Sequence, residues 1–124
     1  MNTLKTILVA VDFSSGSRSA LEQAARLAGL NGAVLHVLHV VDTDAVASLA
    51  ESRHLSFESQ AATAAEGARE ALARLMAEAG APAVCHPIIV VGVPLHEILE
   101  HAHALNPDLL VAGITGSGES KSGT

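Results

Sequence analysis

Four short apolar runs, each stopped by a polar or turn-forming residue, constrain this chain more than any other feature. Ile7 to Val11 stops at Asp12, and Val34 to Val41, interrupted by His36 and His39, stops at Asp42. Val84 to Val91 stops at Gly92, and Leu109 to Ala112 stops at Gly113. Such runs are too short for helices. Strands apolar on both faces belong to a parallel sheet covered by helices.

The segments between them carry helical spacing. Ala20, Leu21, Ala24, Ala25 and Ala28 form one stripe, with Ser14 or Ser15 as N-cap and Gly32 beyond the end. Ala61, Ala65, Ala68, Leu72, Leu75, Met76 and Ala79 form a longer one, stopped by Gly80. Pro94 suits the first turn of a third helix with the stripe Leu95, Ile98, Leu99 and Ala102, ended by Asn106-Pro107. Residues 42–57 mix polarities and read as a loop with a helical turn at most.

The order is βαβαβαβ followed by a glycine-rich tail, and right-handed crossovers make it an α/β doubly wound sheet in a single domain. If strands two and three add on one side of strand one, strand four must start the other side. That reversal opens a crevice at the carboxyl ends of strands one and four, where such sheets bind ligands. Asp12 stands at one of those ends and Gly113 to Gly116 at the other. A Gly-x-x-Gly turn there offers backbone N–H groups to an anion. Its glycines are expected to supply positive φ and close approach, so Val at Gly113 or Gly116 should block a ligand and spare the fold.

Composition narrows the partners. Apolar residues make up 49% of the 124 and aromatics 2%, with two Phe and neither Trp nor Tyr. The core must be aliphatic, and base stacking on aromatic platforms is unsupported. A formal charge of −6 with scattered Lys and Arg also argues against a nucleic-acid partner. Cys85 is the single cysteine, which fits a reducing compartment. No run reaches the roughly 18 apolar residues of a membrane span, and the first residues lack a secretory pattern. The cytoplasm is the expected location.

Several motifs fail on their chemistry. A Walker loop needs Gly-Lys-Ser/Thr, and Lys121 follows Ser120. A dinucleotide fingerprint needs glycines where this chain has Asp12-Phe13-Ser14-Ser15. A phospho-acceptor site would want an acid after the third strand, where Val91-Gly92-Val93 stands. His96, Glu100 and His103 share a helix face, but with Glu97 and His101 they read as a solvated surface opposite the apolar stripe, so no metal is expected. His36 and His39 point to opposite sides of one strand, and Cys85 reads as core.

With these residues in place, the chain resembles the universal stress protein family. The resemblance rests on Ile7-Leu8-Val9-Ala10-Val11-Asp12-Phe13-Ser14, Leu38-His39-Val40-Val41-Asp42, Val91-Gly92-Val93-Pro94, and Pro107-Asp108-Leu109-Leu110-Val111-Ala112-Gly113-Ile114-Thr115-Gly116, in the family's order. It implies a Rossmann-like fold of the adenine nucleotide alpha hydrolase kind. It also implies adenosine triphosphate or a related adenine nucleotide as ligand, with Mg2+ as an accompanying ion. Asp12 would meet the adenosine and the Val40 backbone the adenine, with Ala10 also among the binding residues. Ala112, Gly113, Gly116 and the pair Gly123-Thr124 would meet the phosphates. The family pattern Gly-x2-Gly-x9-Gly-Ser/Thr is departed from, because Gly123 follows Gly116 after six residues. The family's closing helix and strand are not in this sequence, so a C-terminally short domain that pairs as a homodimer is expected. The resemblance implies a stress or energy-state regulatory module rather than an enzyme, with slow hydrolysis at most. The alternative is a ligand-free interaction module of the same fold.

Overall fold

The computed structural model of the chain describes residues 3–82 and 84–113, so Gly116, Gly123 and Thr124 of the expected site lie outside it. The elements are β1 (Thr6–Ala10), α1 (Ser15–Asn31), β2 (Val34–Asp42), α2 (Thr43–Arg53), α3 (Phe57–Glu78), β3 (Cys85–Gly92), α4 (Pro94–Leu105) and β4 (Leu109–Ala112). Ser14 caps α1 by accepting the Ser17 N–H at 3.2 Å, and Gly32 ends it in the left-handed region. Ser56 caps α3 by accepting the Ser59 N–H at 3.0 Å. Pro94 opens α4, where a missing N–H costs nothing.

Residues 43–53 form a full helix where the sequence reads as a loop. Asp42 both ends β2 and caps α2, accepting the Asp44 N–H at 3.0 Å. The buried residues of α2 are Val46 and Ala50, one turn apart, so the apolar periodicity that marks a helix is faint. Packing with α3 supplies what propensity does not, through Val46 against Val41 and Ala68.

All pairings are parallel and the sheet order is β3-β2-β1-β4, the reversal expected around β1. On one face Ile7, Val9, Leu35 and Val37 pack with Leu21, Ala24, Ala25 and Ala28 of α1 and Leu72 and Leu75 of α3. On the other, Leu8, Ala10 and Leu38 meet Ile98 of α4. Both Phe side chains are exposed, so the core is aliphatic as composition requires. Among the described residues no helix is long and apolar enough to cross a membrane. The edge strand β3 contains Pro87, tolerated where a ladder bond is not needed.

The inward seam of α4 keeps Ile98 and Ala102 of the expected stripe but takes Leu105 in place of Leu95 and Leu99. Leu95 and Leu99 are 64% and 58% exposed. Glu97 and His101, read as solvated, are instead half-buried. Half of the 12 residues of this helix are Leu, Ile or Ala, so two stripes satisfy the same period. The sheet selects the one centred on Ile98.

At the end of β4, Gly113 lies against the first turn of α1. A Cβ there would stand 2.6 Å from the Ser17 Cα, 2.6 Å from the Ala20 Cβ and 2.9 Å from the Gly16 carbonyl. The glycines with positive φ among the described residues are Gly32 and Gly80. Close approach, not positive φ, is therefore what requires glycine at 113, and a larger residue strains the fold itself. Gly113→Ala should cost about 1–3 kcal/mol, the usual penalty of overpacking. Denaturant unfolding measures it, and an unchanged midpoint would mean that α1 and β4 can separate freely.

Candidate functional site

The site arises because β2 outruns β1. The first strand has 5 residues and the second 9. Their pairing ends at Ala10 and Leu38, with one further bond from the Val11 N–H to the Leu38 carbonyl at 2.9 Å. The Val34 N–H donates to Lys5 O and the Leu35 N–H to Val84 O, which sets the alternation along β2. Val34, His36, Leu38 and Val40 thus turn their backbone groups toward β1. At Val40 that side has been vacated, so its N–H and C=O point past the end of β1.

Above this step lies a cavity of about 790 Å³. Ala10, Asp12 and Phe13 wall it on one side and His39 to Asp42 on another. Val46 of α2, Gly67 and Ala71 of α3, and Pro94 and Ile98 of α4 close it. Helix α2, which the sequence reading lacks, thus forms part of the wall.

The turn from β1 into α1 is tightly fixed. Asp12 Oδ1 accepts the Ser14 N–H at 3.0 Å, while Ser14 rather than Asp12 caps the helix. Phe13 takes φ of +67°, a conformation that costs an ordinary residue roughly 1–2 kcal/mol. Its ring lies 4.4 Å from that of His39, centroid to centroid. His39 Nδ1 is 2.9 Å from the Val11 carbonyl oxygen.

Of the expected residues, Ala10, Asp12 and Val40 line the cavity together. Ala112 and Gly113 stand at the end of β4, across β1 from it. The Gly113 N–H donates to Ala10 O at 3.2 Å, and Ser14 Oγ donates to Gly113 O at 3.4 Å. The cavity accordingly opens over β1 and β2, one strand away from the expected crevice between β1 and β4. Its described lining includes the carboxylates of Asp12 and Asp42 and no Lys or Arg.

The model of the universal stress protein family matches residues 3–122 of this sequence. Universal stress protein A homolog 1 of Coxiella burnetii is 34% identical over 112 residues, covering 90% of this chain and 77% of that protein. The chain belongs to the universal stress protein family. Universal stress protein UspA from Lactobacillus plantarum superposes with a TM-score of 0.70 at 27% identity, over 98% of this chain and 85% of that one. The hypothetical protein MJ0577 gives 0.72 at 26% identity, over 93% and 80%. A universal stress protein crystallised in complex with cAMP gives 0.58 at 25% identity, over 88% and 71%.

Beyond the cavity, the other candidates of this family member separate. His96 and Glu100 form an exposed pair at 3.8 Å, and among the described residues no group of three or more His, Cys, Asp or Glu could hold a metal. Cys85 is half-buried, and burial raises its thiol pKa, which keeps it protonated. Phe13 and His39 are site features that sequence reasoning missed. Nothing in Asp12-Phe13-Ser14 announces a left-handed residue, since Gly or Asn is the usual occupant.

His36 stacks on His86 of the edge strand, with ring centroids 5.3 Å apart. Burial first, and the facing His86 second, lower the His36 pKa. A base depressed in the folded state stabilises fully above its unfolded pKa of about 6.5, and that contribution is lost as pH falls below it. His86→Ala should raise the His36 titration midpoint and soften this acid sensitivity. Ring-proton NMR against pH reads it, and an unmoved midpoint would leave burial as the whole cause.

Proposed function

We propose that the cavity takes the nucleoside part of an adenine nucleotide, ATP or a close relative, and that the chain is a nucleotide-responsive regulatory module. The observation that carries this reading is the open Val40 backbone beside Asp12. Adenine offers one edge with an amine donor next to a ring nitrogen acceptor, the complement of a free C=O and N–H. The Asp12 carboxylate suits ribose hydroxyls, which donate to it. A volume near 790 Å³ and a largely apolar wall are those of a small-molecule site. The family member crystallised with cAMP supports the same base and sugar.

Two carboxylates and no cation on the described wall disfavour phosphates inside the cavity. The phosphates, with any Mg2+, would extend across β1 to the end of β4, where Ala112 and Gly113 lead into Gly116 and the pair Gly123-Thr124. A binding role rather than turnover follows, with the bound nucleotide altering the surface that partners meet. A second reading, action through protein contacts, draws on the exposed Leu95 and Leu99 of α4 and on the exposed Leu110 of β4, which pairs with Leu8 on the α4 side of the sheet. That face supports self-association as a homodimer, which sedimentation would register.

Titration with a fluorescent ATP analogue tests the main reading. Asp12→Ala should weaken binding by about 1–3 kcal/mol through loss of a charge-assisted hydrogen bond. Equal affinity in the variant would remove Asp12 from the site, and no binding by the native chain would favour the second reading.

A further inference from the structure

We propose that His39 is a positioning residue that terminates the β1–β2 ladder and thereby keeps the Val40 N–H open. In a continued parallel ladder, Val40 would donate its N–H to the Val11 carbonyl, the next acceptor after the Val11–Leu38 bond. That oxygen is instead met by His39 Nδ1 at 2.9 Å. A carbonyl can only accept, so Nδ1 carries the proton and the ring is held in one tautomer. The side chain of one residue has replaced the backbone donor of the next.

The same contact holds the turn that presents Asp12. With its carbonyl tied to His39, Val11 leaves the sheet direction, and Phe13 enters its left-handed conformation with its ring against the imidazole at 4.4 Å. The Ser14 N–H then reaches Asp12 Oδ1. Ladder end, strained residue and carboxylate form one connected unit, and His39 joins it to β2. A structural histidine filling space would satisfy packing with either tautomer; this role requires a donor at the Nδ1 position.

That requirement separates two variants. His39→Phe keeps a ring beside Phe13 and removes the donor. His39→Asn removes the ring and keeps a side-chain N–H near the Nδ1 position. Amide hydrogen exchange reads the geometry without any ligand. In His39→Phe the Val40 amide should become protected, as it pairs with Val11, and the Ser14 amide should lose protection. His39→Asn should restore both toward the native pattern. Unchanged Val40 and Ser14 exchange in His39→Phe would overturn the proposal. If that variant does not fold, nitrogen NMR of the native imidazole decides: a proton on Nε2 instead of Nδ1 overturns it, and one on Nδ1 supports it.

The consequence for binding rests on the adenine-nucleotide reading. The fluorescent ATP analogue should bind His39→Phe about tenfold more weakly or worse, the effect of one lost hydrogen bond and a displaced carboxylate. His39→Asn should recover most of that loss. A native chain that binds no nucleotide would defeat the functional reading alone, because the exchange pattern still decides the role of His39. Altered exchange with native affinity in His39→Phe would confine His39 to shaping the ladder and overturn its part in ligand binding.

Discussion

The placement of β4 on the far side of β1 from β2 is the constraint on which the rest depends, and it is secured at both ends. At the start, Asp108 Oδ2 accepts the N–H groups of Lys5 at 2.8 Å and Thr6 at 3.0 Å, while its own N–H donates to Thr6 O at 2.8 Å. These bonds depress the Asp108 pKa, so the clamp is ionised at neutral pH. At the finish, the bare α-carbon of Gly113 allows β4 to run up to the backbone of α1. A one-residue slip would put Leu109 and Val111 on the wrong face and bring a side chain into Gly16 and Ser17. Register, helix position and the Asp12 turn are thus set together.

From that central strand the cavity follows as a difference in length. A sheet whose strands all ended level would spend every backbone group on a neighbour. Here β1 leaves at Val11 while β2 continues to Asp42, and β2 turns directly into α2. The polar groups left over at Val40 share the cavity with the side chains of Ala45 and Val46 of α2 and of Ala64, Ala68 and Ala71 of α3. Unsatisfied backbone beside apolar surface is costly unless water or a ligand meets it, which makes the step a natural place for recognition. The strain at Phe13 sits at the same step. It persists because the cap at Ser14 and the His39 contact over-determine the turn.

How much of this was legible in the sequence varied with the kind of force involved. The four strands and the helices α1 and α3 announced themselves because burial writes a period into the chain, while the switch around β1 was expected on the condition that strands two and three add on one side of strand one. Asp12 was reachable from its place at the end of the first strand, and Ala10 and Val40 through family resemblance, and the three share one cavity. Helix α2 was not legible, since Val46 and Ala50 alone carry its burial and tertiary packing supplies the remainder. The seam of α4 was ambiguous for the opposite reason, an excess of apolar residues around its circumference. Gly113 was legible as a glycine of close approach, but that the approach is to the backbone of α1, without positive φ, was not, because the two needs look identical in a sequence. His39 reads in the sequence only as one of two histidines that interrupt an apolar strand on opposite faces. Its role is a side-chain bond to a backbone oxygen one strand away, and no local pattern encodes that.

The electrostatics of the cavity bear on what the proposed site could distinguish. Its described wall carries Asp12 and Asp42 but no Lys or Arg, within a chain of formal charge −6. Such a wall repels a phosphate chain and discriminates by hydrogen bonds to neutral parts of a ligand. On the adenine reading, selectivity for the base would come from the Val40 backbone, which no side-chain substitution can remove directly. Affinity for the phosphates would come from a separate place, the end of β4 at Ala112 and Gly113, reached only by a ligand long enough to cross β1. Base identity and phosphate number would then be read by different elements of the sheet. The first depends on where the β1–β2 ladder stops, and the second on how β4 meets α1. Both are settled by the packing of the one central strand, so a ligand spanning them would bind across the junction that also determines the fold's stability.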